Sequence, residues 1–117
     1  GVDQLHVNGI QNKFWETDDS VVASIESLKQ PLYQHKNILP VVSSGQWGGQ
    51  AFETWQRTQT VDLLYMAGGG IMAHPMGPAS GVVALQQAWK AAVDGLTLEQ
   101  ARKEYVEFDK AAEKFGK

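Results

Sequence analysis

Two short segments of this chain combine residue types that suit an anion-binding site. The apolar run at 63–66 leads through Ala67 into three consecutive glycines at 68–70, and the apolar run at 38–42 leads into two serines and a glycine. Glycine leaves backbone N–H groups uncovered and serine adds a hydroxyl donor, so both segments suit phosphate oxygens. Each loop alone is also compatible with a tight strand-to-helix connection, and it is the pairing that favours ligand binding.

A histidine and a lysine near the N-terminus could contribute to the same site. His6 lies near the end of a predicted strand, and Lys13 follows seven residues later in a polar loop. A loop lysine can close over a bound anion, and an imidazole can donate to a second phosphate or to a carbonyl oxygen. The alternatives are a solvated loop cation for Lys13 and a core histidine with a backbone partner for His6.

Histidine and tryptophan side chains elsewhere in the chain are weaker indicators of a binding site. His74 precedes Pro75 in a turn, where a structural role is favoured. Trp47 follows the serine-containing loop and could line a pocket, whereas Trp55 and Trp89 are predicted to belong to the core.

Composition limits the classes of function. The 117 residues, 43% hydrophobic and 20% charged, are typical of one globular domain. The net charge of −3 gives no reason to expect nucleic acid or an anionic membrane as a partner. The lack of cysteine fits a cytoplasmic protein, and no apolar run is long enough to span a bilayer. Because the chain starts without methionine almost inside an apolar segment, we expect it to be part of a longer protein.

The elements that position these residues repeat a strand–loop–helix unit three times. Strands are predicted at about 4–8, 38–42 and 61–66. Helices are predicted from Asp18 or Asp19 onward, at about 49–58 and at about 79–93. This period is typical of an α/β fold with a parallel sheet, in which sites gather at the C-terminal ends of the strands.

A final helix is predicted over about 97–115. Thr97 with Gln100 three residues later fits a capping box, and the following apolar stripe has helical spacing. Three strands alone leave two unpaired sheet edges, so we expect the chain by itself to self-associate, in the simplest case as a dimer.

On three motifs the chain resembles the C-terminal part of the catalytic barrel of the RuBisCO large subunit. They are His6-Val7-Asn8-Gly9 with Lys13 beyond it, Leu39-Pro40-Val41-Val42-Ser43-Ser44-Gly45, and Gly68-Gly69-Gly70 followed by His74-Pro75. The motifs occur in the family's order and at about its spacing, and the match covers nearly the whole chain.

The resemblance implies that residues 1–117 are the C-terminal segment of a (β/α)8 TIM barrel, with the sixth, seventh and eighth strands. It implies that Lys13 is the mobile-loop lysine that closes over the substrate. His6 and Ser43 would lie near one end of the substrate, at a hydroxyl or phosphate, and glycine N–H groups would bind the phosphate at the other end. The implied catalytic residues are Lys13 and His6, and the implied substrate- and phosphate-binding residues are Ser43, Ser44, Gly45, Gly68 and Gly69.

The sequence departs from the carboxylase pattern in three places. After Ser43, carboxylases usually have two glycines and an Ile-His pair, whereas Ser44-Gly45-Gln46-Trp47 stands here. Ala73 replaces the glycine expected before His-Pro, and the loop before Lys13 is less apolar than usual. These differences favour a RuBisCO-like protein (form IV), which does not fix carbon dioxide. Lys13 argues against the methionine-salvage enolases and favours proteins that isomerise, decarboxylate or transfer a carboxyl group on sugar phosphates.

The resemblance also implies groups outside this chain. The family's carbamylated lysine and two acidic metal ligands belong to the second strand, so Mg²⁺ is implied with its ligands elsewhere. The implied partners are a phosphorylated sugar, the rest of the barrel and the N-terminal domain of a neighbouring subunit. The isolated chain should therefore be inactive.

The sequence is compatible with three functions. The first is a segment of a Mg²⁺-dependent enzyme that enolises a ketose-phosphate-like substrate. The second is a non-catalytic phosphate-binding half-barrel or a self-associating fragment. The third is a genuine ribulose-bisphosphate carboxylase.

Overall fold

Three parallel strands form the sheet that carries the predicted site. The computed structural model describes residues 4–12, 16–29 and 39–116. Within them, β1 (Gln4–Asn8), β2 (Leu39–Ser43) and β3 (Leu64–Tyr65) are hydrogen-bonded in the order β1-β2-β3. All pairs are parallel, with His6 beside Val41 and Val42 beside Tyr65. The predicted α/β fold with a parallel sheet is confirmed.

Helices follow the strands as predicted for βα units. They are α1 (Asp18–Lys29), α2 (Gly49–Thr58), α3 (Gly68–Met72), α4 (Pro78–Val93), α5 (Leu98–Glu104) and α6 (Val106–Phe115). Acidic Asp18 and Asp19 open α1, and Pro78 opens α4, where its missing N–H leaves no hydrogen bond unmade. The longest of these helices has 16 residues, and none in the described ranges is long and apolar enough to cross a bilayer.

The structure corrects the predicted third strand. The strand predicted at 61–66 is only Leu64–Tyr65, because a local turn precedes it: the Thr60 hydroxyl accepts a hydrogen bond from the Asp62 N–H at 3.0 Å. A backbone N–H used in that turn is not available to the strand ladder.

The triple glycine is also corrected. It is not a loop but the first turn of α3, because the Ile71 N–H donates to Ala67 O at 2.8 Å. The strand end and the helix are therefore joined by only two residues, Met66 and Ala67.

The predicted helix over 97–115 is interrupted. Tyr105 has extended backbone angles (φ −122°, ψ 114°) and separates α5 from α6, although the predicted Thr97–Gln100 capping box is present. Both segments pack on α4, and the interruption lets each turn its small or aromatic residues toward it.

Two groups of buried side chains hold the layers together. Ala51, Ala88, Ala91, Ala101 and Phe108 form the first, where alanines allow α2, α4 and α5 to approach closely. Trp89 packs against this group as predicted, whereas Trp55 is half-buried and lies outside it. The second group joins α1 to the sheet and consists of Ile10, Val21, Ile25 and Val42.

The two faces of the sheet differ. Val7, Val42 and Tyr65 alternate onto the face covered by α1 and α4. His6, Ser43 and Leu64 follow the opposite alternation, and Leu64 is 42% exposed. Apolar side chains beside β3 are therefore exposed on the sheet face opposite α1 and α4 and along the edge of β3 that is not paired with β2.

We predict that the 117-residue chain, prepared alone, self-associates, because β3 combines a free strand edge with exposed Val61, Leu64 and Met66. Leu64→Lys should shift it toward monomer, since a charged edge residue opposes strand pairing. Light scattering at micromolar concentration measures the mass. Val106→Lys, at an exposed α6 position, is the control and should leave the mass unchanged. A monomeric, cooperatively unfolding wild-type chain would contradict the expectation.

Candidate functional site

The ends of β2 and β3 open into one cleft of about 640 Å³. Five of the residues that the resemblance implies for substrate or phosphate binding line it: Ser43, Ser44, Gly45, Gly68 and Gly69. Trp47 also lines the cleft, as the sequence suggested, and Phe115 of α6 reaches it from the other side. The structure thus brings the two donor-rich strand ends together.

The turn after β2 has an unusual backbone. Ser44 and Gly45 are both left-handed, with φ of 78° and 69°. Glycine adopts this conformation without strain, but a serine there is uncommon and persists where the surroundings hold it. The turn leaves Gly45 exposed at the cleft while Gln46 immediately afterwards is buried.

The three glycines of α3 divide into two kinds. Gly68 and Gly69 are exposed, and a Cβ at either would meet nothing within 4 Å. Their N–H groups belong to the first helical turn, which has no intrahelical acceptor for them. At Gly70 a Cβ would lie 2.7 Å from Gln46 O and 2.9 Å from Trp47 Cβ. Gly70 therefore lets α3 approach the β2 loop, while the other two leave the cleft open.

Two buried glutamines fix the wall of the cleft. Gln46 (3% exposed) donates through Nε2 to the carbonyl oxygens of Ile10 and Ser44, each at 2.9 Å. Gln50 (6% exposed) donates through Nε2 to Ile10 O at 2.8 Å and Gln11 O at 3.2 Å, and its Oε1 accepts from the Trp47 N–H at 2.8 Å. These bonds join the loops after β1 and β2.

Tyr65 connects β3 to the same wall. Its hydroxyl lies 2.9 Å from Trp47 O and 3.1 Å from Gln46 Oε1, so its hydrogen is shared between two acceptors. Burial raises the pKa of the Tyr65 hydroxyl far above its ordinary value. The Tyr65 hydroxyl therefore stays protonated at neutral pH and can serve as a hydrogen-bond donor.

His6 is separated from the cleft. It is exposed, which makes the core interpretation wrong, and it lies on the same sheet face as Ser43. With Ser43, Asn8 and Glu16 it borders a second depression rather than the one lined by the glycines. Among the predicted site residues that the structure describes, Ser43 is the one that borders the same depression as His6.

Lys13 lies outside the described residues, but both ends of its loop are described. Asn8 Nδ2 donates to Glu16 Oε1 at 2.7 Å, and Asn12 Nδ2 donates to Gly9 O at 3.0 Å and Glu16 O at 3.2 Å. Hydrogen bonds from Ser20 and then Asn8 lower the pKa of the Glu16 carboxyl. The base of the loop is thus held to the end of β1.

His74 has the structural role predicted for it. The ring is buried, Nε2 donates to Glu107 O at 2.8 Å and Nδ1 accepts from the Met76 N–H at 3.0 Å. Both ring nitrogens are used, so the side chain fixes the turn after α3 against α6.

Sequence reasoning missed several residues that shape the cleft. No sequence pattern pointed to Gln50, Phe115 was noticed only as part of the apolar stripe of the final helix, and Gln46 only as a departure from the carboxylase pattern.

The described residues offer no metal centre. Within 4–12, 16–29 and 39–116 there is no group of three or more His, Cys, Asp or Glu side chains that could hold a metal ion. A ligand set for Mg²⁺ is therefore not formed by this part of the chain.

Comparisons with known proteins agree on one family. Residues 1–115 match the family model of the ribulose bisphosphate carboxylase large chain, catalytic domain. The chain is 53% identical over 118 residues to the 3-oxo-isoapionate-4-phosphate decarboxylase of Rhizobium etli, covering 99% of the chain and 28% of that enzyme. It is 48% identical over 101 residues to the 3-oxo-isoapionate-4-phosphate transcarboxylase/hydrolase of Xanthobacter autotrophicus, covering 85% and 24%.

A solved structure agrees as well. The crystal structure of a rubisco-like protein from Burkholderia fungorum superposes with a TM-score of 0.90 and 40% identity, over 97% of the chain and 28% of that protein. The chain therefore spans about a quarter of the length of the relatives it matches.

The two kinds of glycine predict opposite effects on stability. Gly69→Ala should leave the free energy of unfolding unchanged or raise it by up to about 1 kcal/mol, because the methyl group meets open space and alanine favours helix. Gly70→Ala should lower it by roughly 1–3 kcal/mol, because the methyl group would overlap the Gln46 carbonyl. Urea denaturation measures both, and equal effects would contradict this division.

Proposed function

The chain belongs to the family of the ribulose bisphosphate carboxylase large chain, and we propose that it is the C-terminal part of the catalytic barrel of a RuBisCO-like enzyme acting on a phosphorylated sugar. Its strands are the sixth, seventh and eighth of that barrel. The observation that supports the proposal most is the cleft in which Ser44–Gly45 and Gly68–Gly69 converge.

The cleft binds one phosphate of the substrate through backbone donors. The N–H groups of Gly45, Gly68 and Gly69 are the proposed donors, because these residues present no side chain between the backbone and the cleft. Ser43 lies between this cleft and the depression that His6 borders. The substrate accordingly extends from the glycines past Ser43 toward His6.

The reaction proceeds through an enolate. The Rhizobium etli relative is named a decarboxylase of a 3-oxo phosphate, and in a 3-oxo acid the C–C bond to the carboxylate breaks as carbon dioxide leaves. The electron pair moves into the neighbouring carbonyl, whose oxygen becomes negatively charged. Lys13 stabilises that charge and closes the site, which lowers the barrier if the interaction is stronger in the transition state than in the ground state.

Mg²⁺ enters the proposal by resemblance only. The residues that the structure describes contain no group of three metal-ligating side chains, and the resemblance implies that the ligands belong to another part of the enzyme. When bound, the ion would polarise the carbonyl group of the substrate. This chain's own contribution is to bind the phosphate, orient the sugar and supply Lys13.

The activity is tested on the full-length protein. A panel of ketose phosphates and 3-oxo-acid phosphates, assayed with and without Mg²⁺, should include a substrate that is decarboxylated or isomerised. Loss of carboxylate or exchange of the α-hydrogen measures the reaction. Phosphate binding with no turnover of any member would favour the non-catalytic alternative, and fixation of carbon dioxide on ribulose bisphosphate would favour a carboxylase.

Inorganic phosphate tests the cleft directly. On titration we expect amide chemical shifts to move at Gly45, Gly68 and Gly69, and Gly69→Ala should weaken binding about tenfold, because its methyl group enters the cleft. Shift changes confined to the lysine-containing helix α6 would contradict this site.

Lys13→Ala should lower kcat in the full-length enzyme by a factor of about 10²–10³, as removing one donor to a developing oxyanion typically does. Its effect on the free energy of unfolding should be small, since a loop cation contributes little to packing. Lys90→Ala, at an exposed α4 position, is the matched control and should leave kcat unchanged. An unaltered kcat for Lys13→Ala would remove this lysine from the mechanism.

A further inference from the structure

We propose that Gln46 is a positioning residue that orients the phosphate-binding peptide between Ser44 and Gly45. This role rests on the proposed function of the cleft and adds a residue to it. Gln46 does not itself reach the phosphate. It acts through the backbone of the turn that does.

The orientation follows from the planarity of the peptide bond. The carbonyl of Ser44 and the N–H of Gly45 belong to one peptide unit, in which a trans bond makes them point in opposite directions. Gln46 Nε2 holds the Ser44 oxygen at 2.9 Å and draws it toward the buried side of the turn. The Gly45 N–H is thereby directed away from that side, and Gly45 itself is exposed at the cleft.

The Gln46 amide is itself fixed from both ends. Its Nε2 also donates to Ile10 O at 2.9 Å, and its Oε1 lies 3.1 Å from the Tyr65 hydroxyl. One side chain therefore connects the loop after β1, the turn after β2 and strand β3. A side chain held at both ends of its amide can fix a peptide plane that a freely rotating one could not.

Gly9 provides the space for this side chain. A Cβ at position 9 would overlap the carbon, nitrogen and oxygen atoms of the Gln46 amide. The Gly9 N–H also donates to Ser43 O at 2.7 Å, so the same glycine is hydrogen-bonded to the residue that precedes the turn. The geometry at position 9 thus suits a glutamine at position 46.

Gln50 supports the arrangement from α2. The Ile10 carbonyl oxygen accepts from both Gln46 and Gln50, which uses both of its lone pairs. Gln50 Oε1 in turn accepts from the Trp47 N–H directly after Gln46. The backbone on either side of Gln46 is therefore held in place as well as its side chain.

The test measures binding of inorganic phosphate to the full-length protein by calorimetry. Gln46→Met keeps the length of the side chain but removes its donors, and it should raise the Kd for phosphate about tenfold, as expected for one misaligned hydrogen bond to an anion. The same variant should raise KM for a phosphorylated substrate more than it lowers kcat, because the affected contact holds the phosphate rather than the reacting carbon.

A stability-matched control separates positioning from folding. Ile25→Val removes one buried methylene group on α1 but none of the hydrogen bonds of the turn, and it should lower stability without changing the Kd for phosphate. Tyr65→Phe is a second, milder variant: it removes the hydroxyl that is hydrogen-bonded to Gln46 Oε1 and to Trp47 O, and it should raise the Kd about threefold. If Gln46→Met does not fold, the Kd of Tyr65→Phe for phosphate tests the positioning role of Gln46.

The outcomes distinguish this inference from the function on which it rests. If the wild-type protein does not bind phosphate, the proposed phosphate site is wrong and the role of Gln46 is wrong with it. If the wild type binds phosphate and both Gln46→Met and Tyr65→Phe bind it with the wild-type Kd, the phosphate site stands and the positioning role is overturned. A rise in Kd for Ile25→Val equal to that of Gln46→Met would also overturn it.

Discussion

The arrangement of the strand ends depends on hydrogen bonds from two buried glutamine side chains to backbone carbonyl groups. A carbonyl oxygen shut off from water needs a donor, and the completely buried Ile10 lies where sheet hydrogen bonding has ended. Gln46 and Gln50 each donate a hydrogen bond to the Ile10 carbonyl oxygen. Because the acceptors belong to the loop after β1 and the donors to the segment after β2, the ends of two strands are fixed relative to each other by the same bonds. Tyr65 extends the connection to β3.

The helical layer reaches the same region through aromatic and imidazole side chains. Trp47 lies between Phe108, stacked at a centroid distance of 6.1 Å, and Phe115 at 5.9 Å, so one of its neighbours lies in the core and the other at the cleft. His74 joins the turn after α3 to the carbonyl of Glu107 in α6. The position of α6 is thus coupled to the segment after β2 and to the turn after α3, although α6 itself carries none of the predicted binding residues.

Local sequence signals predicted those parts of the fold that local interactions determine. The bounds of β1 and α2 and the cap at Thr97 follow from apolar spacing and capping chemistry, and the structure has them where they were predicted. The length of β3 was wrong because the turn made by Thr60 competes with the strand, and the break at Tyr105 escaped because helical spacing continues through it. The convergence of the turn after β2 and the triple glycine at one edge of the sheet followed from parallel topology. The contacts of Gln46 did not, since its partner Ile10 lies 36 residues away and no periodic pattern connects them. The roles of Lys13, His6 and the glycines were inferred from residue chemistry and from the family resemblance, and they stay predictions.

The fit between Gly9 and the Gln46 amide has a consequence for how this family can diversify. Two positions far apart in the chain occupy one volume, so their permitted residues are not independent. A lineage that carries glutamine at position 46 cannot gain a side chain at position 9 until residue 46 has shortened or turned away. The order in which these two sites change is therefore constrained by sterics. We therefore expect positions 9 and 46 to change together among related sequences.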